Sequence, residues 1–260
     1  SALKKSEQVT ERDKSKIKDL FGNNEKVLDE VHERLSDSET IDLLAAEWNS
    51  LGFYLESHPI DKKKREVRKM CGFFISELET ETHSQRVAGM LMHLNVRQGR
   101  KGRFAFATID DSSGRLEISI WADIFDRHRG ILKKGQLIVI EGIVEKDNYS
   151  IGAEKPTFKM VADRILTFDE ARNEYLKHIR ITLDPDTVNV EEIATGIKAL
   201  SNNQEGSPVL ISFLGKKAKA DILLSKDYSF YVDDNSMKSL FNLCGKENID
   251  LVYHSGSHVN

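Results

Sequence analysis

Residues 103–121 read RFAFATIDDSSGRLEISIW, and the alternation of side chains along this stretch decides the fold. Successive side chains of a strand point to opposite faces. Phe104, Phe106 and Thr108 therefore share one face and Ala105, Ala107 and Ile109 the other, and the sequence leaves open which set points inward. Beyond the turn Asp110-Asp111-Ser112-Ser113-Gly114 the phase is set: Leu116, Ile118 and Ile120 form an inward apolar set, leaving Arg115, Glu117, Ser119 and Trp121 outward. On either side of this hairpin, residues 86–96, 136–144 and 156–165 have the same strand-like pattern. Residues 122–132 instead carry Ile124, Phe125, His128 and Leu132 at helix-like spacing and stop at Lys133-Lys134-Gly135. Three strands, a helix and two strands is the order of an OB-fold, a five-stranded, partly open Greek-key barrel.

The flanks read differently. Residues 1–25 are almost wholly polar and cannot repay ordering entropy, so a flexible arm is expected, interrupted by the apolar pair of Asp19-Leu20-Phe21. Residues 26–74 form a short helical segment: Val27, Leu28, Val31 and Leu35 make one stripe, Ile41, Leu44, Trp48, Leu51 and Leu55 a second, and a cation-rich third helix follows Pro59 at 61–70. The OB-fold takes residues 75–168, and 169–178 hold a connecting helix. Residues 179–260 read as a small α+β domain, with strands at 179–183, 209–213, 217–224, 228–232 and 249–253, and helices around Ile193 and Leu240. The fold class expected is thus multidomain: short helices, an all-β barrel and an α+β unit.

Composition bounds the function. The chain has 260 residues, of which 39% are hydrophobic and 31% charged, against ~25% charged in ordinary globular domains. No apolar run approaches the ~20 residues of a membrane span, so no membrane partner is expected. The N-terminal residues Ser1-Ala2-Leu3-Lys4-Lys5 lack the apolar core of a secretion signal, and Cys71 and Cys244 stand far apart without metal-ligand spacing; a cytoplasmic protein is expected. The net charge of −4 argues against a uniformly basic nucleic-acid protein, yet it is a sum over unlike parts. Catalytic signals are absent: Asp110-Asp111 and Asp233-Asp234 sit where aspartates hydrogen-bond local backbone, and no phosphate loop occurs. No cofactor and no metal is expected. Binding is better supported. Arg97, Arg100, Lys101 and Arg103 crowd the connection between the first two strands, and the connection between the last two supplies Lys146 and Tyr149. These loops frame the groove of an OB-fold, with strands 2 and 3 as its floor, so Phe104, Phe106 and Arg115 join them as candidate nucleic-acid contacts.

Three segments carry a family resemblance. Leu51-Gly52-Phe53-Tyr54-Leu55-Glu56-Ser57-His58-Pro59-Ile60 resembles the LGxYLxxHP segment of bacterial replicative DNA polymerase III α subunits. Thr108 to Glu117, TIDDSSGRLE, resembles the LDDxSGRLE stretch of that family's OB domain, a pattern that other OB domains, tRNA anticodon binders included, can also carry. Asp169-Glu170-Ala171-Arg172 resembles the segment that leaves that domain. The resemblance runs in order from about residue 19 to about residue 253. It implies the C-terminal region of the subunit without its catalytic module: an OB domain for single-stranded DNA, a final domain for the clamp-loader τ subunit, and a peptide for the β sliding clamp. The clamp motif of the family, Q-x-D-[LM]-F, is matched by Asp19, Leu20 and Phe21, while Ile17 stands where the family has Gln. Two other readings fit the residues less fully: an RNA-recognising OB module and a scaffold that binds only proteins.

Overall fold

The computed structural model describes residues 58–80, 83–146, 158–186, 188–201, 206–215 and 218–254, all within one unit, Leu55–Asn260. The Asp19-Leu20-Phe21 peptide, the two apolar stripes at residues 27–55 and Tyr149 lie outside these residues.

Five strands, β1 (Gln85–Gly99), β2 (Gly102–Asp110), β3 (Arg115–Ile120), β4 (Leu137–Lys146) and β5 (Phe158–Thr167), close into a barrel in the order β1-β2-β3-β5-β4. The inward set of β2 is Ala105, Ala107 and Ile109, which join Leu116, Ile118 and Ile120 of β3 in the core. This answers the question of phase: small side chains fill the narrow interior and the phenylalanines face out. At Glu141/Gly142 the β4–β5 register shifts, and a Cβ on Gly142 would lie 2.1 Å from the Val161 carbonyl oxygen, so only glycine admits that approach. Helix α2 (Ala122–His128) is shorter than the expected 122–132, and it delivers Phe125, followed by Leu132, to the barrel core.

Helix α1 (Lys64–Cys71) and helix α3 (Phe168–Tyr175) lie on the outer wall of the barrel. Ile60, Val67, Met70, Phe168, Ala171 and Tyr175 pack there against Ala88, Val139 and Leu166 of β1, β4 and β5. This burial explains why the first half of β1 is covered on both faces whereas its second half is exposed. Among the described residues, the wall formed by the second half of β1, β2 and β3 carries no such helices.

The remaining elements form a second layer: β6 (Leu176–Leu183), α4 (Val190–Leu200), β7 (Val209–Leu214), β8 (Lys219–Leu223), α5 (Asp234–Cys244) and β9 (Ile249–Tyr253). The sheet order is β8-β7-β6-β9, with β6 and β7 parallel and α4 as their crossover. Ile193 and Ile197 of α4 and Met237 and Leu240 of α5 cover one face of it. The strand expected at 228–232 is not formed. Phe230 and Val232 are fully buried, but among the described residues the segment has no neighbouring strand. It makes one bridge, Ser207 to Phe230, and the Asn173 side chain takes both polar groups of Val232, accepting from its N–H at 2.7 Å and donating to its carbonyl at 2.9 Å. A helix side chain thus does what a ladder would have done.

Arg172, 2% exposed, joins these parts. Its guanidinium donates to both Glu66 carboxylate oxygens of α1 (2.5 and 3.0 Å), to Asp169 (2.7 Å) and to Asp234 of α5 (3.2 Å), while the Tyr253 hydroxyl of β9 donates to Glu66 at 2.6 Å. Burial opposes the charge on Arg172, but the hydrogen bonds and charge of Glu66, together with Tyr253 and Asp169, outweigh it and raise its pKa above the ordinary arginine value. Both cysteines are buried thiols, and Cys71 is pushed up to about 12 by burial. No helix among the described residues is long and apolar enough to cross a membrane. Arg172→Ala strands the Glu66 carboxylate and is expected to cost ~3–5 kcal/mol in urea unfolding, and Arg172→Lys recovers only part because an ammonium cannot fork across two oxygens.

Candidate nucleic-acid interface

Strand pairing in the first hairpin continues to Gly99 opposite Gly102, so the loop shrinks to Arg100 and Lys101, with Gly102 at φ +121°. Arg97 and Arg103 are therefore strand residues, and the pleat separates them. Arg97 is the register partner of Phe104 and stands exposed on the same face; Arg103 pairs with Gln98 on the other. There the Arg103 guanidinium sits 3.8 Å from the Asp126 carboxylate of α2 and 5.8 Å from the Phe125 ring centre. Arg100 and Lys101 stand exposed at the tip.

On the outward face, Phe104 and Phe106 meet edge to face with ring centres 5.7 Å apart, and the Trp121 ring lies 5.9 Å from Phe104 at 37°. Trp121 is 53% exposed. It follows β3 as the N-cap residue of α2, where its extended backbone keeps the outward phase of the strand. The alternation of β3 had already sent Trp121 outward; its place across from Phe104 could be seen only once β2 and β3 were in register. The grid continues with Asn95 opposite Phe106, His93 opposite Thr108, and Ser119 and Glu117 on β3. Aromatic faces and Arg97 thus occupy one end, and Glu117 the other. Three aromatic rings on an exposed sheet beside a cationic hairpin tip can stack bases while the cations follow phosphates.

Arg115 is less available than its outward phase suggests. Its Nε donates to Asp110 at 2.9 Å, and Asp110 also lies 3.5 Å from the His58 imidazole. Burial lowers the His58 pKa, with Asp110 pulling the other way. Lys146 ends β4, exposed, at the mouth of the β4–β5 connection that carries Tyr149. Asp111, 1% exposed, accepts hydrogen bonds from the backbone N–H groups of Ile75 (2.7 Å), Ser113 (2.8 Å) and Gly114 (3.1 Å) and from the Ser113 hydroxyl (2.6 Å). Its lone pairs go to the turn and to the segment after α1. Among the described residues no group of three or more His, Cys, Asp or Glu is placed to hold a metal ion.

A family model described as an OB-fold nucleic acid binding domain matches residues 85–167, which span β1 to β5. Over 97% of its length the chain is 29% identical to the DNA polymerase III subunit alpha of Pseudomonas aeruginosa and 26% identical to that of Escherichia coli K12. From end to end, the chain is similar to one segment of the DNA polymerase III α subunit. It spans 22% of the length of these relatives. Among solved structures, the replication factor A related protein of Methanobacterium thermoautotrophicum overlaps 38% of this chain and 91% of its own, at 21% identity and a TM-score of 0.30. If the aromatic face binds nucleic acid, Trp121→Ala and Phe104→Ala should each weaken oligonucleotide affinity by roughly 5- to 150-fold, the equivalent of ~1–3 kcal/mol per stacked base, with an unchanged far-UV spectrum. Arg97→Ala should cost more than Arg103→Ala; equal losses would put the phosphate track on both faces of the hairpin.

Proposed function

We propose that this chain is a non-catalytic portion of a bacterial replicative DNA polymerase III α subunit that holds single-stranded DNA on the outward face of β1–β3. The observation that carries the reading is the cluster of Phe104, Phe106 and Trp121 beside Arg97 on the wall that helices α1 and α3 leave uncovered. Stacking supplies affinity without a base code, which suits a template of any sequence, and Arg97, Arg100 and Lys101 follow the phosphates. The similarity to α subunits over 97% of the chain supports a place in DNA replication, in the cytoplasm, rather than in tRNA recognition. In the same reading Asp19, Leu20 and Phe21 dock the β sliding clamp, and the unit built on β6–β9 meets the clamp-loader τ subunit. Synthesis of DNA is assigned to parts of the relatives that this chain does not span.

Fluorescence titration with a labelled single-stranded oligonucleotide tests the central part. Three phosphate contacts predict a log–log salt slope near −2, a loss of roughly 20-fold between 50 and 200 mM salt. Arg97→Ala, Arg100→Ala and Lys101→Ala together should flatten that slope; an unchanged slope would sink the assignment. Competition with RNA of the same sequence separates the DNA reading from the RNA one, which predicts preferential displacement by RNA. For the arm, Leu20→Ala with Phe21→Ala should abolish capture by the clamp and leave oligonucleotide affinity intact, since paired apolar anchors dominate such contacts.

A further inference from the structure

Away from the aromatic face, α1, α5 and β9 enclose a groove of about 620 Å³. Its floor is apolar: Met237 and Phe241 of α5, with Ile249 and Leu251 of β9. The carboxylates in its wall are already matched, Glu66 by Arg172, Asp234 by Lys63 at 2.6 Å and Asp250 by Lys69. The rim is different. Arg65, Lys238 and Lys246 stand exposed around it, and of the two exposed carboxylates in the lining, Asp234 is held by Lys63 and Arg172, which leaves Glu247. Arg65 and Lys238 make no ion pair among the described residues, and Lys246 lies 5.9 Å from the Phe241 ring centre. The rim therefore carries surplus positive charge above a floor that water covers poorly.

We propose that this groove docks an acidic segment of a partner protein, which seats at least one large apolar side chain against Phe241 and Ile249 and directs carboxylates to Arg65, Lys238 and Lys246. Charge complementarity at the rim and apolar burial at the floor ask for both features in one ligand. A nucleic-acid strand fits less well: the one aromatic ring in the lining, Phe241, already faces Lys246, and the wall carboxylates would lie along the path of its phosphates. The groove shares no residue with the aromatic face, so the proposal stands or falls apart from the nucleic-acid reading.

Selection of a random-peptide display library on the 260-residue chain, with a synthetic copy of an enriched peptide measured by fluorescence anisotropy, tests it. The expected result is enrichment of peptides that combine clustered Asp or Glu with Leu, Phe or Trp. Their affinity should fall at least about tenfold in R65E/K238E/K246E, and by a smaller factor in R65Q/K238Q/K246Q, because both long-range attraction and contact are lost. All three side chains are exposed, and the glutamine set decides the matter should the glutamate set fold poorly. Oligothymidylate affinity should be nearly the same in wild type and variants. The proposal is overturned by a selection without acidic peptides, by peptide affinity that survives both triple variants, or by oligothymidylate displacing the peptide from the wild-type chain.

Discussion

A guanidinium removed from water must find enough acceptors to hold its charge, and Arg172 draws three elements together to meet that demand. Glu66 comes from α1, Asp169 from its own helix α3, and Asp234 from α5, while Tyr253 of β9 secures Glu66. A buried ion pair need not raise stability over an apolar core, but removing one partner leaves a charge without compensation, so the elements that carry the acids are held in one arrangement. Arg86 does the same between the barrel and the helices. It is 7% exposed, reaches Glu141 at 3.1 Å and the Met70 carbonyl at 3.1 Å, and lies over the Tyr175 ring.

This arrangement determines which wall of the barrel remains open. Ala88, Val139 and Leu166 are covered by α1 and α3, and among the described residues neither helix reaches the opposite wall, with Phe104, Phe106 and Trp121. The same helices, by bringing α1 against α5 and β9, also create the cation-rimmed groove. One docking geometry thus yields two surfaces of different chemistry, one suited to stacked bases and one to an acidic segment.

Much of the fold was legible because two-residue alternation is a local property. The five barrel strands, the inward set of β3 and the turn at Asp110–Gly114 follow from side-chain order alone. The strand expected at 228–232 shows where this fails: Phe230 and Val232 are buried, but so is Ser229 while Tyr228 is only half-buried, and a strand also needs a neighbour, whose hydrogen bonds at Val232 Asn173 supplied instead. The candidate site was legible in its residue types and less so in its geometry. Four cations close in sequence looked like one loop, yet pairing through to Gly99 and Gly102 put Arg97 and Arg103 on opposite faces.

By itself the sequence determined the order of elements, the OB barrel, the absence of uniform basic charge and the resemblance to replicative polymerase α subunits, since these depend on composition, periodicity and motif order. The tertiary structure decided which face of β2 points outward, that Trp121 stands beside Phe104, that Arg103 and Arg115 are drawn to Asp126 and Asp110, and that a groove forms between α1 and the second sheet. Each of these depends on which distant residues come within a few ångströms of one another. That is set by packing volume and the pairing of buried charge across the chain, and no local window of sequence contains it.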